Sequence, residues 1–284
     1  MMTLPKKKII LFLVLTVVLS SVFYALIFVS GNLEGWTIGL MWCPGIAALL
    51  TQMVFQKNIR GLGWSLKPLR FLLLGYGLPV LYGLIVYGIV WLSGAAPFKG
   101  EAMAQEMAAQ TGMPVSTSGF LVNYVLMMGT LGMLGSVFAA LGEEIGWRGL
   151  LVPELARLTS FPATALISGG IWAVWHYPLI LFSEYHNSAA PRWLGLICFT
   201  LMVLGISFVL AWMRLKSGSF WGAVIFHASH NVFIQGVFTP LTGQSTLSPY
   251  LIDEFGIGLA LVGVVLVLIF WRKRSEVQSA SAVQ

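Results

Sequence analysis

Uncharged apolar runs of about eighteen residues or more recur along this chain, and that is the length a helix needs to cross bilayer hydrocarbon. Eight candidates stand out, at about 9–30, 35–55, 71–94, 119–142, 161–183, 193–213, 219–238 and 256–271. Hydrophobic residues make up 58% of the 284 and charged ones 9%, against roughly 25% charged in an ordinary soluble domain. One water-facing core could not hide so much apolar surface, which excludes a disordered chain, a coiled coil and a water-soluble enzyme. The expected fold is all-α: a polytopic membrane helix bundle of about eight transmembrane helices, forming a single integral membrane domain over 1–284. The first run follows Lys6, Lys7 and Lys8, as in a signal peptide. It exceeds the usual length of such a segment and no clean small-residue cleavage site follows, so it reads as a retained helix.

A net charge of +6 suits nucleic acid until the charges are located. With the N-terminus in the cytosol and eight crossings, fourteen of the sixteen Lys and Arg fall in 1–8, 56–70, 143–160, 214–218 and 272–284. Only Lys99 and Arg192 fall on the opposite side. That asymmetry is the positive-inside pattern, and a shift by one helix destroys it. Both termini are therefore expected in the cytosol, the bilayer of the cell membrane is the expected surrounding, and nucleic acid is not an expected partner. Glu34, Glu101, Glu106, Glu184, Asp253 and Glu254 fall outside. The external loop at about 95–118 can hold a short surface helix. Cys43 and Cys198 sit in apolar runs and supply neither a disulfide framework nor a metal motif. No repeat, Pro-rich linker or separate soluble domain is present, so any chemistry belongs to the bundle.

Three places break the apolar pattern. In Gly142-Glu143-Glu144-Ile145-Gly146-Trp147-Arg148-Gly149, Glu144 and Arg148 are four apart and share a helix face, so they can pair. Glu143 points elsewhere and is free for work, while Gly142, Gly146 and Gly149 let backbones come close. His176 lies inside an uncharged run, one turn after Trp172, and Pro178 frees the carbonyl near Val174. His227 and Asn231 are again four apart, with His230 near their stripe. Each motif alone also fits plain packing: a helix end among headgroups, a neutral histidine between helices, or polar glue. Together they say more. If the helix carrying Glu143 runs on to Arg157, then Glu143, His176 and His227 lie roughly 21, 23 and 20 Å from their cytosolic helix ends. The three could then meet at one level in a polar cavity, and ionisable groups placed so expensively in lipid are functional by default.

A carboxylate, two imidazoles and an amide around a wet pocket suit hydrolysis. Glu143 can act as general base on water, and His227 and Asn231 can donate to a developing oxyanion. Alternatively, Glu143, His176 and His227 can hold a divalent metal such as zinc with a fourth position open. There is no HExxH zinc motif, no GxSxG elbow, no phosphate loop and no dinucleotide fingerprint.

The set EExxxR at 143–148, aromatic-xxx-His at 172–176 and HxxxN at 227–231 resembles the CPBP intramembrane proteases. That group contains the type II CAAX prenyl endopeptidases and bacteriocin-processing or immunity-related proteins. The resemblance covers about 119–238, the expected catalytic-motif core, and Trp172 stands where the family usually has Phe. It implies that Glu143 activates water with help from His176, and that Arg148 pairs with Glu144 to shape the first motif. It further implies that His227 and Asn231 stabilise the tetrahedral intermediate. His230 receives no role from it, and both metal-dependent and metal-free routes are consistent with it. The expected activity is an intramembrane endopeptidase acting on membrane-associated peptides or proteins, lipid-modified ones among the candidates. A non-enzymatic scaffold or immunity protein on the same fold is the alternative. A proton-coupled carrier is a third reading, disfavoured by the lack of matching broken helices in two halves.

Overall fold

The computed structural model describes residues 2–186 and 189–281, and its regular structure is helical. In chain order the elements are α1 (Leu4–Ser30), α2 (Leu33–Gln56), α3 (Leu69–Leu92), α4 (Gly100–Thr111), α5 (Thr117–Ala156), α6 (Phe161–Phe182) and α7 (Arg192–Ser217). Then come α8 over 221–238, a single turn α9 (Ser248–Leu251), α10 (Ile257–Arg272) and α11 (Arg274–Ser281). One isolated bridge, Phe98 to Thr242, is the sole extended pairing among the described residues. The all-α bundle expected from the apolar runs is the observed fold, and α4 is the short helix expected in the 95–118 loop.

Six helices, α1, α2, α3, α5, α6 and α7, are long and apolar enough to span a bilayer. The seventh and eighth expected runs are helical too, but fall short for different reasons. α8 carries His227, Ser229, His230, Asn231 and Gln235, which lower its apolarity. α10 has 16 residues, about 24 Å of helix. The fourth run differs most from expectation. It does not stop at Gly142 but continues as one helix of 40 residues to Ala156, ~60 Å long and about twice the hydrocarbon thickness. Its charges do not end it because Glu144 and Arg148 neutralise each other inside the bundle. The break comes only at 157–160, before Pro162 starts α6.

α7 is the most enclosed helix. Phe208, Val209, Leu210, Ala211 and Met213 are all fully buried, and a helix apolar on every side belongs in an interior. α6 and α10 pack on it, α8 packs on α3, and α1 and α5 pack on α2. The five basic segments meet at one end. Lys8 Nζ pairs with Glu154 Oε1 at 2.7 Å, and Arg214 donates to the carbonyls of Arg148 (2.7 Å) and Leu62 (3.2 Å). Lys216 pairs with Glu276 at 3.5 Å. Lys8 is a fully buried cation inside α1, tying the first helix to the end of α5.

Glycine sets the distance between α2 and α5. A Cβ on Gly142 would lie 2.8 Å from both Met41 O and Trp42 Cα, and one on Gly146 would lie 2.7 Å from the carbonyl oxygen of Pro44. At Gly149 the nearest atoms are 3.6 Å away, an ordinary contact, so of the three only Gly142 and Gly146 need to be glycine. Gly142→Val should therefore force α5 off α2 and cost about 1–3 kcal/mol. Gly149→Ala should leave stability within about 0.5 kcal/mol or raise it through helix propensity. Thermal unfolding of the two variants in detergent, compared with the parent, distinguishes them; equal losses in both would refute the packing argument.

Candidate active site

The first motif sits where α5 changes its winding. The helix is α-helical to Glu144 and π-helical over Ile145–Leu151. Such wide turns are rare and recur at functional positions. Glu144 and Arg148 pair as their spacing predicts, Nη1 to Oε1 at 2.8 Å, and neither is exposed to solvent. The same Oε1 accepts from His227 Nδ1 at 3.0 Å, so the pair reaches across to α8. Arg148 Nη2 donates to Ser207 Oγ of α7 at 3.3 Å. Its guanidinium carbon lies 4.2 Å from the centroid of the Trp172 ring of α6, a cation–π contact. One buried ion pair therefore fastens α5 to α6, α7 and α8.

Glu143 points away from that knot and lines a cavity of about 120 Å³. Trp172 Nε1–H donates to its Oε2 at 2.7 Å and Trp147 Nε1–H does so at 3.2 Å. These two indoles hold one carboxylate oxygen still, while Oε1 has no hydrogen-bond partner among the described residues. Sequence reading marked Trp172 as a bulky aromatic and missed its donor, which the Phe usual at that position lacks.

His176, His227 and Asn231 line the same cavity as Glu143. Those four groups, from three separate motifs, are thus brought together, as the depth estimate required. Each imidazole has its tautomer set by one partner. A carbonyl oxygen can only accept, so the contact of His176 Nδ1 with Trp172 O at 2.9 Å places hydrogen on Nδ1. Glu144 does the same to Nδ1 of His227. In both rings Nε2 is left for the cavity. Asn231 begins a second π-helical stretch, Asn231–Phe238, directly after the α-helical Trp221–His230.

A second polar group on this cavity was not anticipated. Glu254 stands just before α10 and was expected among solvated external acids. It is 5% exposed and lines the cavity. Its Oε1 accepts from His230 Nε2 at 3.1 Å and its Oε2 from Tyr185 OH at 2.7 Å, while His230 Nδ1 meets Tyr82 OH. Burial alone would raise the Glu254 carboxyl. The hydrogen bond from His230 and its charge, with hydrogen bonds from Tyr185 and Gln235, outweigh burial and hold it at about 2. Burial, with the neighbouring Glu254 charge, pushes Asp253 up to about 6. The sequence signal was His230 itself, an ionisable residue beside a motif with no role assigned. All four histidines of the chain border this cavity or an adjoining one, of about 220 Å³, that shares Leu33, Tyr185, Gln235 and Glu254 with it.

The metal alternative fits this arrangement poorly. Among the described residues no three His, Cys, Asp or Glu side chains are grouped as a metal site. Glu143 has one oxygen committed to two indoles, and Glu144 is committed to Arg148 and His227.

Comparison with known proteins meets the same segment. Residues 121–233 match the family described as type II CAAX prenyl endopeptidase, Rce1-like. A CAAX prenyl protease 2 from Methanococcus maripaludis is 30% identical over 156 residues, which cover 53% of this chain and 52% of that protein. The chain thus spans about half the length of the relative it matches. All three motifs fall inside the residues that match this family, which supports the resemblance their spacing suggested.

Proposed function

We propose that this chain is an intramembrane endopeptidase that hydrolyses membrane-associated peptides or proteins with a water activated by Glu143, without a bound metal. The reading rests on one observation above all: a carboxylate, two imidazoles with open Nε2 atoms and an amide face one cavity inside an apolar bundle. Glu143 Oε1 takes a proton from water as the oxygen attacks the scissile carbonyl. The indoles on Oε2 keep the carboxylate aimed during that transfer. Asn231 Nδ2–H donates to the oxyanion; His227 can add a second donation from Nε2 when its ring is doubly protonated. His176 Nε2 accepts the proton from Glu143 and passes it to the leaving amine, so that Glu143 is returned to its ionised form. The substrate class follows the relative's name only in outline: a lipid-modified C-terminal segment is the first candidate. The cell membrane is the proposed location, with the basic end of the bundle facing the cytosol.

Glu143→Gln should lower turnover of a cleaved peptide by about 10²–10⁴-fold while leaving thermal unfolding near that of the parent, because the amide keeps an acceptor for the indoles. Unchanged turnover in purified protein removes Glu143 as the base. Asn231→Ala should lower kcat by about 10²-fold with a smaller change in KM, since the oxyanion forms only as the reaction proceeds. An equal rise in KM would assign Asn231 to substrate binding instead. Dialysis against a chelator should leave activity intact; loss of activity restored by zinc would replace the metal-free route.

A further inference from the structure

His230 differs from the other two cavity imidazoles of α8 and α6 in one respect: neither ring nitrogen is open. Glu254, an ionised carboxylate, can only accept, so hydrogen sits on His230 Nε2, 3.1 Å from Glu254 Oε1. Nδ1 meets the Tyr82 hydroxyl. Glu254 Oε2 takes the Tyr185 hydroxyl hydrogen at 2.7 Å. Both ring nitrogens of His230 and both carboxylate oxygens of Glu254 are thereby occupied in a chain from Tyr82 to Tyr185. His230 is therefore not placed to move a proton in the reaction. What the network does is hold a position. Glu254 is hydrogen-bonded to His230, the residue before Asn231, and lines the same cavity as Gln235, four residues after it on the same helix. The helix changes from α to π winding between His230 and Asn231. Tyr82 of α3 grips the same imidazole from the other side, and its phenol is buried.

We infer that Glu254 is a positioning residue, which by clamping His230 fixes the α–π junction of α8 and so aims the Asn231 amide at the oxyanion. This rests on the proposed peptidase reading for the role of Asn231, though the clamp itself does not. It assigns a task to His230 and to a loop acid that no motif contains. It also predicts a dependence that mere structural support does not produce: the effect of losing Glu254 must pass through Asn231.

The test is a double-mutant cycle on the full-length protein in detergent or nanodiscs. Glu254→Gln, close to Glu254 in shape, should lower kcat about tenfold with KM within twofold, and should cost less than twofold when made in an Asn231→Ala background. Multiplicative losses, or a loss carried by KM, overturn the inference. Amide hydrogen exchange gives a readout independent of catalysis. Glu254→Gln should speed exchange in the 228–238 segment while leaving 143–156 as in the parent. Unchanged exchange in 228–238 overturns the clamp whether or not any peptide is cleaved. A protein that cleaves no peptide but shows the localised exchange would instead sink the peptidase reading and leave the clamp standing.

Discussion

A carboxylate and a guanidinium, both removed from solvent, must find each other or pay several kcal/mol each, and in this bundle the Glu144–Arg148 pair is the point from which the site is built. The pair is made within one helix, so it exists before tertiary packing. What packing adds are the three further contacts to Ser207, Trp172 and His227, each from a different helix. Because Glu144 absorbs the positive charge, the neighbouring Glu143 is spared an ion pair and is held by neutral indole donors instead. Adjacent residues on a helix point about 100° apart, and this angle lets one acid be structural and the next chemical.

What could be read from the sequence followed from local spacing. Pairs four apart, Glu144 with Arg148 and His227 with Asn231, announce a shared face whatever the helices do later. Apolar runs announce helices for the same reason. What stayed hidden depended on contacts between distant segments. The indole of Trp172 reaches Glu143 from 29 residues away, and Glu254 reaches His230 across a loop and a short helix. The end of α5 stayed open between 142 and 157 for a related reason. Charge counts along a chain treat Glu143, Glu144 and Arg148 as a boundary, whereas a neutralised pair inside a bundle is compatible with an uninterrupted helix. The pairing of Lys8 was hidden in the same way, since its partner Glu154 lies 146 residues further on.

Two inward-facing acids, Glu144 and Glu254, stand in parallel arrangements. Each binds an imidazole of α8, one at His227 and the other at His230, and each lies against a stretch where α winding gives way to π winding. A π turn weakens the local hydrogen-bond geometry of a helix, so it persists only where other interactions over-determine it. Here the compensation is side-chain bonding to a buried carboxylate. The difference between the two lies in what remains open. At His227 the second ring nitrogen is left free and the residue can take part in chemistry, while at His230 both are filled and the residue can only hold its neighbours. A single helix can therefore present a reactive imidazole, a fixed imidazole and an amide within five residues, because which ring nitrogens are occupied, rather than residue type, decides what each group can do.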